Sequence, residues 1–263
     1  KKNTQLLGDA YFLLGDAQQK QKKNVDAIAA YQRAIAAKPL SYQAYRNLAE
    51  IFRSESRYNE AIEIEKRALL LYPNDGYIYT DISWYYSLAD RHEEAIQAAQ
   101  SAIKILPQEY MAYTNLCRAY NDTKQYPLAI NACNSALKIN PKDGETYFYL
   151  ARAYDLSGRT AEATRNYSLA VKGLAEAAKA DPTNSDTLYL LGNAYFSDNQ
   201  RDRAIEAYNK CLELNPRFAK ARLNLGRTLV LKKDKAGALV QYNELLKIDQ
   251  KRAAQLKSDI DKL

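Results

Sequence analysis

The chain has 263 residues, 47% hydrophobic and 26% charged, which fits a foldable protein of one large or two ordinary domains. Its 9 glycines and 7 prolines are too few for an all-β protein built on tight turns, and no apolar run approaches the roughly 18 residues that span a bilayer. The net charge of +7 is lopsided: from Arg217 to Leu263 twelve Lys/Arg stand against five Asp/Glu, while the 216 residues before them balance.

Prolines at 39, 73, 107, 141, 182 and 216 stand 34 residues apart, except that 141 to 182 is 41. With the proline as position 32 of a unit, the first unit (8–41) has Tyr11, Leu14 and Gly15 at positions 4, 7 and 8, then Ala27 and Ala34 at 20 and 27. The second (42–75) repeats this with Tyr45, Leu48, Ala49, Phe52, Ala61 and Ala68, and the third (76–109) with Tyr79, Ile82, Ser83, Tyr86, Ala95 and Ala102. The fourth (110–143) has Tyr113, Leu116, Cys117, Tyr120, Ala129 and Ala136, and the fifth (144–184) Tyr147, Leu150, Ala151, Tyr154, Ala163 and Ala170. The sixth (185–218) has Leu188, Leu191, Gly192, Tyr195, Ala204 and Cys211. The seventh (219–250) departs, with Arg222 at position 4, Leu245 at 27 and Gln250 where proline belongs, as a terminal unit does.

Positions 4, 7, 8 and 11 recur at i, i+3, i+4 and i+7, one apolar face of a first helix, and 20, 24 and 27 do the same for a second. Small residues at 8, 20 and 27 let the two helices approach closely. The proline pushes the residue before it out of the α region and ends the second helix. The seven extra residues of the fifth unit continue its second helix through Val171, Leu174 and Ala177/Ala178 by two turns, about 10 Å. Residues 251–263, with Ala254, Leu256 and Ile260 at helical spacing, read as a polar-faced capping helix.

This pattern resembles the tetratricopeptide repeat family, with its 34-residue W/Y-x2-L-G-x2-Y, A-x3-F and A-x4-P signature. The likeness covers residues 8–250. It implies an all-α fold, a right-handed α-solenoid of stacked antiparallel helix pairs that cannot stand singly and are stable only by stacking. It also implies a scaffold or adaptor that holds a peptide segment of a protein partner on a concave wall of first helices, at positions 2, 5, 6, 9, 12 and 13.

Thirteen of the 22 tyrosines fall at positions 4, 11 or 24 and belong to the core. The aromatic and apolar residues outside that set, on groove positions, are Tyr77, Trp84, Met111, Phe148, Tyr149, Tyr189 and Phe196. Each alone reads equally as helix packing; as a group they favour a peptide groove. Polar groups on the same positions are Arg46, Asn47, Asn115, Arg118, Arg152, Asn193, Asn224 and Arg227. Arg118 and Arg152 hold position 9 of successive units and read as a short cationic ladder suited to carboxylates. Chaperone-binding members of the family grip a C-terminal carboxylate with lysines and asparagines. Asn193 and Asn224 match the two asparagines, but Tyr189 stands where the first lysine belongs, so that clamp is not expected.

A second reading gives the basic end, residues 217–262 with Lys232, Lys233, Lys235, Lys251 and Arg252, to nucleic acid or an anionic membrane surface. A third is self-assembly, through the long helix around Leu174 or end to end at the first unit, for which residues 1–7 offer little cap. Neither catalysis, a metal nor a cofactor is expected. The one histidine, His92, reads as an exposed turn residue, and there is no phosphate-binding glycine loop, GxSxG or HExxH motif. Cys117, Cys133 and Cys211 have no metal spacing and occupy packing positions; they read as inert thiols, with a Cys117–Cys133 disulfide open but unneeded. Lys1-Lys2-Asn3 carries neither initiator Met nor apolar signal core, which fits a soluble protein of the cytoplasm or of the periplasm after leader removal.

Overall fold

The computed structural model describes residues 2–263. Among them there are fifteen helices and no strand, an all-α solenoid; within each of its two units, each helix packs on its neighbours in sequence. Two compact units divide the chain, one through Thr123 and the other from Lys124. The first holds α1 (Lys2–Lys20), α2 (Asn24–Ala37), α3 (Tyr42–Ser54), α4 (Tyr58–Leu69), α5 (Gly76–Leu88), α6 (His92–Ile105) and α7 (Tyr110–Asp122). The second holds α8 (Tyr126–Ile139), α9 (Gly144–Leu156), α10 (Thr160–Ala180), α11 (Ser185–Ser197) and α12 (Arg201–Leu214). It closes with α13 (Ala219–Leu231), α14 (Lys235–Leu246) and α15 (Gln250–Ile260).

Why the helices sit so close is written in alanine. Ala27, Ala61, Ala95, Ala129, Ala204 and Ala238 have no exposed surface and Ala163 has almost none. A side chain of one carbon lets backbones approach and leaves the gap to longer neighbours such as Leu48, Ile62 and Tyr208, each at most 1% exposed.

Every turn from first to second helix places one residue in the left-handed region: Lys22, Ser56, Asp90, Lys124, Gly158, Asn199 and Lys233, with φ between 59° and 81°. The next N–H then bonds back five residues, as in Arg57 N–H to Phe52 O (2.8 Å), Arg159 N–H to Tyr154 O (2.8 Å) and Gln200 N–H to Tyr195 O (2.8 Å). This is the Schellman closure, which satisfies carbonyls that the helix end leaves without a partner.

The inserted residues make α10 21 residues long, against 12 to 14 for α2, α4, α6, α8, α12 and α14. Its added turns cross the start of α9 where two glycines meet: a Cβ on Gly144 would fall 2.7 Å from the Gly173 carbonyl carbon, and one on Gly173 would fall 2.7 Å from the Gly144 Cα. Leu174 is buried beside this crossing.

Four details differ from the sequence reading. Leu14, at a core position, is 44% exposed, because among the described residues α1 packs chiefly on α2 and that face is left open. On α15 the buried set is Ala253, Leu256 and Ile260, packed on Leu223, Ala238 and Leu245; Ala254 faces solvent, one residue off the stripe. His92 is no exposed turn residue but opens α6 half-buried, its Nδ1 3.7 Å from Asp122 Oδ2. Cys117 and Cys133 are half-cystines and not thiols, whereas Cys211 is a free buried thiol that burial holds well above the usual range.

Candidate functional site

The first helices of the first unit carry the residues expected on the wall. On α5, Tyr77 is half exposed, and on α7, which packs against α5, Met111 is nearly as open. Trp84, further along α5, is partly exposed; the Arg53 guanidinium lies 4.8 Å above its ring and Tyr85 flanks it at 5.8 Å. Asn47 is tied inward, donating to Asp16 Oδ1 (2.9 Å) and Tyr31 Oη (3.1 Å). Asn115 is buried and donates to the Thr80 carbonyl (3.0 Å), so it staples α7 to α5 and does not wait for a ligand.

Arg46 on α3 bonds Asp81 on α5 at 3.0 Å, and Arg53 bonds Glu50 on α3 at 2.8 Å. Asp81 and Glu50 hold positions 6 and 9 of their pairs, groove positions that carry acid here and that sequence reasoning passed over. Beneath them lies Glu65 of α4, with no exposed surface. Burial first, then the charge of Asp81, pushes Glu65 up to about 8, with Arg46 pulling the other way. Burial likewise pushes Asp81 up to about 6 against the pull of Arg46.

In the second unit several expectations change. Phe148 and Tyr149 are buried: Phe148 packs 5.3 Å from Tyr149 and 6.0 Å from Tyr167 on α10, so the two rings serve the core and are not presented to a partner. Arg152 is partly buried on α9, close enough to Tyr167 and Tyr189 to favour their ionised forms. Arg118 of the first unit is buried as well, so it is not the solvated rung of a cationic ladder. Arg227 bonds Asp259 on α15 at 2.9 Å, so its guanidinium already has a carboxylate partner.

What the second unit does bring together is a ring-and-amide cluster. Tyr208 donates to Asn193 Oδ1 (2.8 Å), Asn224 donates to the same oxygen (2.8 Å), and Tyr189 stacks at 4.8 Å on Phe218. Phe196 is partly exposed further along α11. A separate cleft of about 590 Å³ lies between the extension of α10 and α12, lined by Ala178, Leu188, Leu191, Tyr195, Ala207 and Leu214.

The basic end is less free than its charge count suggests. Lys232 is paired with Asp202 and the half-buried Arg252 with Asp249, while Lys233, Lys235 and Lys251 stay exposed. Among the described residues no group of three His, Cys, Asp or Glu is placed to hold a metal ion, and no helix is long and apolar enough to cross a membrane.

Models described as tetratricopeptide repeat match residues 7–76, 132–165 and 185–218, together just over half of the chain. No curated protein matches the sequence. Among solved structures, a tetratricopeptide repeat protein from Parabacteroides merdae is 16% identical with a TM-score of 0.65, over 97% of this chain and 99% of that one. A structure of MamA protein is 24% identical with a TM-score of 0.57, over 66% of this chain and 96% of that one. A thermophilic tetratricopeptide repeat protein of Thermus thermophilus is 19% identical with a TM-score of 0.57, over 71% and 99%. At these identities the likeness speaks for the fold alone.

Proposed function

The chain belongs to the tetratricopeptide repeat family, and on that premise we propose that it is a non-catalytic adaptor holding a peptide segment of a partner protein against the first helices of its helix pairs. The fold supports a scaffold for protein–protein interaction. The observation that carries the finer reading is the group on α5 and α7: Tyr77 and Met111 stand open to solvent, and Trp84 is held flat beneath Arg53. Rigid aromatics of this kind are favoured interface anchors because they bury much area for little lost freedom. The basic end is the weaker candidate, since Lys232, Arg252 and Arg227 already have carboxylate partners.

Display of random peptides on the immobilised full chain tests this. Peptides that bind should lose about tenfold or more in Kd against a Tyr77→Ala/Trp84→Ala variant, as removal of anchor side chains does, while circular dichroism stays that of the parent. Failure to select any peptide, or equal affinity for both proteins, would sink the proposal.

A further inference from the structure

Position 24 of the second helix has a repeated task. In α2 it is Tyr31, fully buried, whose hydroxyl donates to Asp16 of α1 at 2.6 Å. In α12 it is Tyr208, equally buried, donating to Asn193 of α11 at 2.8 Å. Each ring fills the interior and its hydroxyl reaches the groove residue at position 9. In α4 the same place is held by Glu65, a shorter side chain that ends in an acceptor. It has no exposed surface, and neither of its oxygens has a hydrogen-bond partner.

The groups that face Glu65 are Arg46 and Tyr42 of α3, Asp81 of α5, Tyr85 of α5 and Asp75 at the head of α5. Arg46 is the one cation in that set, and its guanidinium bonds Asp81. Beyond Tyr85 stand Glu50 and Arg53, bonded to each other. Acid therefore outnumbers base, and the buried carboxyl at the floor lacks a donor. Buried polar groups are nearly always bonded, so an exception points to an absent partner. The way in is open at its rim: the Arg46 and Glu50 side chains are 41% and 43% exposed, and Arg46 is long and flexible enough to swing aside.

We propose that Glu65, Asp81 and Glu50 form a subsite for a basic side chain of the bound peptide, with Trp84 and Tyr85 as its aromatic wall. The proposal rests on the peptide-groove reading and deepens it: the partner segment is basic where it crosses α3 and α5. A guanidinium offers paired N–H donors to a carboxylate, and either cation gains from an aromatic face. Because both buried carboxyls are held partly protonated near neutrality, a cation that favours their ionised forms must release protons on binding. Affinity should rise as pH goes from about 6 to about 8.

The experiment follows the methyl signals of Ile62, Ile64 and Ile78, buried residues of α4 and α5, the helices that carry Glu65 and Asp81, in the full chain titrated with N-acetyl-arginine amide or its neutral isostere N-acetyl-citrulline amide. Expected are shifts with the arginine compound alone, several-fold tighter at pH 8 than at pH 6, and at least tenfold weaker in Glu65→Gln and in Asp81→Asn. Equal response to citrulline, a flat pH profile, or a Glu65→Gln protein that binds arginine as the parent does would overturn the subsite. Should either variant misfold, the citrulline comparison on the unaltered chain still decides. Displayed peptides that bind while the arginine compound does not would remove the subsite and leave the groove; if neither binds, the groove reading fails and the subsite with it.

Discussion

One backbone angle, repeated seven times, sets the geometry of every helix pair. The left-handed residue is Gly158 in one turn and Lys, Ser, Asp or Asn in the other six. A side chain there costs about 1 kcal/mol relative to glycine. Nothing lies within 4 Å of where a Cβ on Gly158 would sit, so Gly158→Ala should lose about 1 kcal/mol of stability from the backbone alone. Lys22→Gly should gain about 0.5–1 kcal/mol, and urea denaturation of both reads the pair. Which residue of each turn is left-handed was illegible in the sequence, because glycine, the usual signal, marks only one. A second residue-scale device was equally hidden: Arg57, Arg91 and Arg159 stand just before second helices at their N-caps, bond Glu60, Glu94 and Glu162 three residues on, and lie 4.3–4.6 Å over Phe52, Tyr86 and Tyr154. By contrast, the oddity of Arg222 at a tyrosine position resolves simply. Tyr113 and Tyr147 donate to the carbonyl of the proline six residues back, and Arg222 does the same to Pro216 at 2.8 Å. Glu65 adds a pH dependence with a definite sign. Its folded value, about 8, lies above the ordinary 4.5, so the folded state binds the extra proton. Stability should be full below about 4.5 and fall as pH rises towards 8. Thermal melts across that range should show the fall, and Glu65→Gln should flatten it.

Helices were the most legible level, because alanine and proline spacing carries their packing and their ends directly. The extension of α10 was readable as two further turns, but not the price in shape that allows it, the meeting of Gly144 and Gly173. Gly144→Ala puts a carbon against backbone that cannot retreat, and should cost about 1–3 kcal/mol, as overpacked sites do; a lowered urea midpoint is the measurement. Site residues on the same helices were half legible. Position numbers assign a side chain to a wall, yet Phe148 at a wall position leans on Tyr167 and disappears into the core. Which way a large ring falls depends on the space left by the second helix, and that is a property of three helices at once. Asp81 and Glu50 escaped notice for the opposite reason, since charges on a helix surface ordinarily read as solvated. The sign that could have found them is Glu65, an acid where four other units place tyrosine at position 24.

At the scale of the whole chain, stacked pairs draw stability from their neighbours, so the ends differ from the middle. The two ends also differ from each other. The last pair is covered by α15, which buries Leu256 and Ile260 on Leu223 and Leu245. The first pair has Leu6, Leu7, Leu13 and Leu14 of α1 in solvent. Amide exchange should therefore be fastest in α1 and α2 and slower in α13 and α14. Ending the chain before Gln250 should reverse the order at that end and lower the melting temperature, because Leu223 and Leu245 would lose their cover. An opposite exchange gradient in the intact chain would contradict the nearest-neighbour account.

The exposed side of α1 repeats a spacing that is buried on α3. Ala44, Leu48 and Ile51 are buried on α3, which packs on α2, and Ala10, Leu14 and Ala17 repeat their spacing on α1 as exposed side chains. A duplicate of residues 8–41 fused ahead of Gly8 would lay its second helix against those side chains, as a brick is laid on a course already dressed to receive it.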